Sequence, residues 1–130
     1  MIVDTSAILA ILFAETDADR YARAIAGTAA CRMSAANFVE AAIVVDSQTA
    51  AAGSRQLDAF FRRAGIVIEA VTEEQAHLAR QAYFDFGKGR HPAGLNFGDC
   101  FAYALAKGSG EPLLFKGDDF AKTDVSAGSP

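Results

Sequence analysis

Four short apolar runs, Ile2-Val3, Cys31-Arg32-Met33, Ile66-Val67-Ile68 and Pro112-Leu113-Leu114-Phe115, alternate with longer stretches of helical periodicity. No other feature restricts the fold as much. Strands joined by helical crossovers pair in parallel, and a parallel sheet covered on both faces reads as short continuous apolar runs. The chain is therefore read as an α/β domain. In such sheets ligands bind beyond the carboxyl ends of the strands, so residues just after each run are the first candidates for a site.

The intervening helices carry their own punctuation. Asp4-Thr5-Ser6 turns from the first run into an apolar helix over 7–13. A second helix spans 17–26 and stops at Gly27. Ser34 suits the N-cap of a helix from Ala35 to about Ala50. Gly53-Ser54 is expected to break it before an amphipathic helix bearing Leu57, Phe60, Phe61 and Ala64. Thr72 with Gln75 resembles a capping box for a helix to about Phe86, and three glycines with a proline make 87–94 a loop. Asn96 caps a helix to about Lys107, ended by Gly108-Ser109-Gly110. After Val125 the small and polar tail, 126–130, is expected to fray.

At 130 residues, 52% hydrophobic and 22% charged, the chain suits one folded domain over 1–125. No apolar stretch approaches the roughly 18–20 residues that cross a bilayer, so no membrane partner is expected. Cys31 and Cys100 lack metal or redox spacing, and no leader is apparent, which fits a reducing cytoplasm. A net charge of −4 argues against a broad electropositive surface. It leaves room for a small basic rim around an acidic centre.

Acids set in apolar sequence point to that centre. Asp4 closes Met1-Ile2-Val3, Glu40 interrupts Phe38 to Val45, Asp99 opens an apolar helix, and Asp118-Asp119 follow Leu113-Leu114-Phe115. Each has an ordinary reading: Asp4 and Asp99 as helix caps, Asp118-Asp119 as a turn, Glu40 as the partner of Arg32 or Arg55. Together they form a stronger pattern, because carboxylates converging at one sheet edge repel one another unless a hard cation binds among them. All-oxygen ligands suit Mg²⁺ or Mn²⁺, and the chemistry such a centre supports is attack of water on a phosphoryl group. Thr5 and Ser6 could hold a water or a phosphate oxygen. Lys116, Arg90 and His91 are candidates for phosphate contact, the last two in the basic loop Lys88-Gly89-Arg90-His91; His77 reads as a surface residue.

Met1-Ile2-Val3-Asp4-Thr5-Ser6-Ala7, a mid-helix Glu40, Asn96-Phe97-Gly98-Asp99-Cys100-Phe101-Ala102-Tyr103 and Leu114-Phe115-Lys116-Gly117-Asp118-Asp119-Phe120 together resemble a PIN-domain ribonuclease of the VapC toxin type. The resemblance covers nearly the whole chain. It implies a three-layer α/β/α domain with a central parallel sheet of four or five strands. It also implies Mg²⁺- or Mn²⁺-dependent endonucleolytic cleavage of RNA, neutralisation by a VapB-like antitoxin, and a homodimer. Asp4, Asp99 and Glu40 would bind metal, with a fourth acid among Asp118, Asp119 and Asp124, and Thr5 or Ser6 would supply the hydroxyl beside the first Asp. The rival readings are a catalytically silent PIN-like binding module and a haloacid-dehalogenase-like phosphatase. The second is disfavoured because that pattern needs another Asp where Ser6 stands.

Overall fold

Strand β1 (Ile2–Val3) lies inside a four-stranded sheet, paired in parallel with β2 (Arg32–Ser34) on one side and β4 (Leu113–Leu114) on the other. Beyond β2 lies β3 (Val67–Glu69), also parallel, giving the order β3-β2-β1-β4. The computed structural model describes residues 1–129. Between the strands run α1 (Thr5–Leu12), α2 (Ala18–Ala26), α3 (Ala35–Gln48), α4 (Ala51–Ala64), α5 (Glu73–Phe86) and α6 (Phe97–Ser109), and a short 3₁₀ turn (Phe120–Lys122) follows β4.

Alternation along the strands creates the three layers. Ile2 and Leu113 face α5 and α6, where they pack with Ala79, Leu95, Ala102 and Leu105. Their neighbours Val3 and Leu114 face the opposite way, into a core with Ile8, Tyr21, Met33, Leu57 and Phe61 from α1, α2, β2 and α4. Because successive side chains of a strand point to opposite faces, two residues are enough to join both cores. All four strand residues are fully buried. The expected three-layer α/β/α domain is the fold observed, with four strands.

Three local expectations are corrected by packing. No turn separates β1 from α1: Asp4 is itself the N-cap, and Thr5 and Ser6 are helical. The break between α3 and α4 falls at Thr49-Ala50, with Gly53 inside α4. A Cβ on Gly53 would stand 1.9 Å from Thr49 Oγ1, so this glycine serves a close approach rather than a break. The tail also does not fray throughout the described residues. Leu113 N donates to Ser126 O at 2.8 Å and Gly128 N donates to Leu113 O at 2.7 Å. The open edge of β4 would otherwise leave these backbone groups without partners. Pro130, part of the expected tail, lies outside the described residues.

At the amino ends of β1, β2 and β4, Arg32 pairs with Glu111 and the Met1 ammonium donates to Glu111 Oε1 at 2.7 Å, while Arg32 also pairs with Glu69, the last residue of β3. The ammonium and Arg32 hold the Glu111 carboxyl down at about 2. Arg32 is thus committed at the edge opposite the candidate site. It is not the partner of Glu40. No helix of the described residues is long and apolar enough to cross a membrane.

Candidate metal and phosphodiester site

Asp4 follows β1 directly and is 3% exposed, and its two oxygens have different fates. Oδ2 accepts from the Ser6 backbone at 3.0 Å and the Ser6 hydroxyl at 2.6 Å, which caps α1. Oδ1 is buried and has no partner. Capping therefore explains half of this carboxylate. A buried acceptor left unsatisfied costs about 1–3 kcal/mol, and more when charged. Burial raises the Asp4 pKa, against the lowering effect of the Ser6 bonds, and the nearby Glu40 charge raises it further.

The other carboxylates reach the same place from two helices. Asp4, Thr5, Ser6, Glu40, Asn96 and Asp99 line one pocket of about 230 Å³. Asp99 is the third residue of α6 and completes a capping box: its Oδ2 accepts from Asn96 N at 3.0 Å, while Asn96 Oδ1 accepts from Asp99 N at 2.9 Å. Desolvation outweighs this favourable bond, and with the charges of Asp4, Asp119 and Glu40 it raises the Asp99 pKa to about 6. None of Asp4, Glu40, Asp99 or Asp119 enters an ion pair among the described residues.

Glu40 is held by its neighbours. Thr5 Oγ1 donates to Glu40 Oε1 at 2.6 Å and stands 3.2 Å from Asn37 O. Asn37, fully buried one turn before Glu40, donates from Nδ2 to Gly98 O at 2.9 Å and approaches Glu40 Oε1 at 3.4 Å. It joins α3 to the first turn of α6. Asn37→Ala is expected to cost about 1–3 kcal/mol, because the buried amide tie from α3 to the first turn of α6 is lost, and to loosen Glu40. Chemical denaturation gives the first number; a variant as stable as the parent would show that water replaces the amide.

The remaining sequence candidates divide. Of Asp118 and Asp119, it is Asp119 whose charge is felt at Asp99. Asp124 is engaged elsewhere, accepting from Tyr103 OH at 2.5 Å and paired with Lys107. The Lys116 ammonium pairs with Asp17 and Glu15, at 2.9 and 3.3 Å, while its backbone N–H donates to Ser6 Oγ at 2.9 Å. Lys116 thus braces Ser6 and has no free ammonium for a phosphate. Arg90 lies over Phe84, and His91 accepts from Ala93 N and meets Phe86 edge-on; neither lines the carboxylate pocket. Asn37 and Gly98 are the residues the sequence reading missed. The spacing of Asn37 three positions before Glu40 was the available signal.

The donor set is hard and all-oxygen, and it contains one buried oxygen without a partner, which fits a divalent cation of the Mg²⁺ class. Among the described residues no three Asp, Glu, His or Cys side chains form a ready chelate. The carboxylates line a shared pocket rather than a closed cage.

The PIN domain family model matches residues 1–126. A ribonuclease VapC of Mycolicibacterium smegmatis is 52% identical over 127 residues, covering 98% of each chain. Ribonuclease VapC28 of Mycobacterium tuberculosis is 58% identical over 126 residues, covering 96% of this chain and 95% of its own. Among solved structures, VapC20 of Mycobacterium tuberculosis, a toxin that cleaves the sarcin–ricin loop, superposes with a TM-score of 0.80 at 16% identity, covering 99% of this chain and 98% of that one. A toxin–antitoxin complex from Klebsiella pneumoniae gives 0.71 at 15% identity, covering 95% and 92%. With the family model matched over residues 1–126 and relatives 52% and 58% identical over nearly the whole length, the chain belongs to the PIN-domain family.

Proposed function

We propose that the protein is a divalent-metal-dependent endoribonuclease, the toxin of a type II toxin–antitoxin pair. The observation that carries this reading is Asp4 Oδ1, a buried carboxylate oxygen with no protein partner in a pocket lined by Glu40 and Asp99. The identity to ribonucleases named VapC supports RNA as the substrate.

In this reading Asp4, Glu40 and Asp99 hold Mg²⁺ or Mn²⁺, with Asp119 as the fourth acid. When bound, the ion supplies Lewis-acid polarisation of the phosphoryl group and activation of the attacking water. Ser6, braced by the Lys116 backbone, fixes the rotamer of Asp4 so that Oδ1 stays turned from its cap. Thr5 and Asn37 do the same for Glu40. The hydroxyls of Thr5 and Ser6 thus orient carboxylates rather than grip the substrate. The expected products are a 5′-phosphate and a 3′-hydroxyl.

The same reading includes a VapB-like antitoxin and a homodimer. Val39 and Ile43 are 52% and 63% exposed beside Glu40, an apolar seat next to surplus negative charge. A basic, partly apolar segment complements both.

Incubating the antitoxin-free protein with a total RNA pool in Mg²⁺, Mn²⁺ or EDTA, beside Asp4→Ala, tests the proposal. Discrete cuts that need metal and are absent from the variant are expected. Cuts that persist in EDTA would overturn it.

A further inference from the structure

A second pocket, of about 550 Å³, adjoins the carboxylates through Asn96, which lines both. Its volume is that of a small-molecule site, for which roughly 300–1,000 Å³ is usual. Its walls include Tyr83, Phe97 and Phe101, and Arg80 and Lys88 also line it. Phe97 is 78% exposed, yet its ring is set edge-on to Phe101 at 4.9 Å between centroids. Solvent exposure of so large an aromatic is costly, and its held orientation offers a flat face.

Neither Arg80 nor Lys88 enters an ion pair among the described residues, although the chain is acidic overall. Lys88 also begins the most basic loop of the chain, Lys88-Gly89-Arg90-His91. Exposed aromatics with unneutralised cations, next to acids that act on a phosphodiester, match the way single-stranded nucleic acid is held: bases stack on rings and phosphates meet cations. A wholly apolar segment would leave the two cations unpaired.

We propose that this pocket takes an unpaired nucleobase of single-stranded RNA beside the scissile phosphate, stacked on Phe97, with Arg80 and Lys88 on the neighbouring phosphates. The proposal rests on the ribonuclease reading for its substrate class. It adds a subsite that selects unstacked over duplex RNA, since a paired base cannot enter such a pocket.

The test is binding of a fluorescent oligouridine and of an abasic ribose-phosphate chain of equal length, in EDTA so that turnover is prevented. Phe97→Ala is expected to weaken oligouridine binding about 5- to 100-fold and to leave the abasic chain unaffected, with Phe97→Trp restoring affinity. Arg80→Ala should weaken both and lower the salt slope by about one. Phe97 is exposed, so its removal should leave thermal unfolding unchanged. No measurable oligouridine binding by the parent would overturn the pocket. Equal loss for both chains in Phe97→Ala, or a sedimentation mass altered by that change because a second copy covers this face, would do the same. Cleavage kinetics separate the two readings. Metal-dependent cleavage with KM unaltered by Phe97→Ala defeats the base subsite alone, whereas Phe97-dependent binding without cleavage by the parent defeats the nuclease alone.

Discussion

Replacing Asp99 by Asn is expected to abolish cleavage and, at neutral pH, to make the metal-free protein more stable. The two effects have one origin. Asp99 is held among Asp4, Glu40 and Asp119 and partly withdrawn from water, which raises its pKa from 3.8 to about 6. A carboxyl whose pKa is higher in the folded state is costly to the fold when ionised. Its contribution to stability therefore falls as pH rises from about 4 to about 6, and the full penalty stands at pH 7. Asn can still accept from Asn96 N, so the capping box survives the change. After allowance for solvent screening the gain is about 1 kcal/mol at pH 7, a few degrees in melting temperature, and it disappears below about pH 4. Activity moves the other way. A metal centre supplies several kcal/mol of transition-state stabilisation, so loss of a ligand lowers kcat/KM on the order of 10³-fold. Melting curves at pH 7 and pH 4 beside the cleavage rate decide it; a destabilised Asp99→Asn at pH 7 would assign this carboxylate to the fold rather than to a cation.

Gly98→Ala is expected to lower cleavage about 100-fold with little effect on stability. A methyl group here would stand 2.1 Å from Glu40 Oε2 and 2.6 Å from Glu40 Cδ. The obstacle is the far end of a side chain, so Glu40 swings away and the backbone stays. Displacement of a reacting geometry by about 1 Å costs on the order of 100-fold. Alanine's better helix propensity, about 1 kcal/mol, offsets part of the repacking cost. The diagnostic is non-additivity: in a Glu40→Ala background the further change Gly98→Ala should cost nothing. Independent, additive losses would show that Gly98 acts on something other than Glu40.

How far the sequence disclosed this site depended on how local each cause was. Asp4 was legible because a strand end followed by a capping acid is a neighbour effect, and Asp99 because its box with Asn96 spans three residues. Glu40 was legible as an acid without a use on an apolar helix. Asn37 and Gly98 were not, since they acquire meaning only where α3 crosses α6, 61 positions apart along the chain. Long side chains misled for a related reason. Lys116 stands beside the acids in sequence, but its ammonium reaches back to Asp17, while its backbone does the useful work on Ser6. Gly53 read as a breaker because the contact that requires it, Thr49, belongs to the end of the previous helix. The tail read as loose because nothing local shows that β4 has an open edge.

The central claim is that these carboxylates hold one or more divalent ions. Titrating Mn²⁺ into the antitoxin-free protein, with free ion counted by electron paramagnetic resonance, addresses it without any RNA. Saturable binding that is lost in Asp4→Asn and Asp99→Asn, both still folded, is the expected result. Undiminished binding in both variants would contradict the claim and place any metal elsewhere.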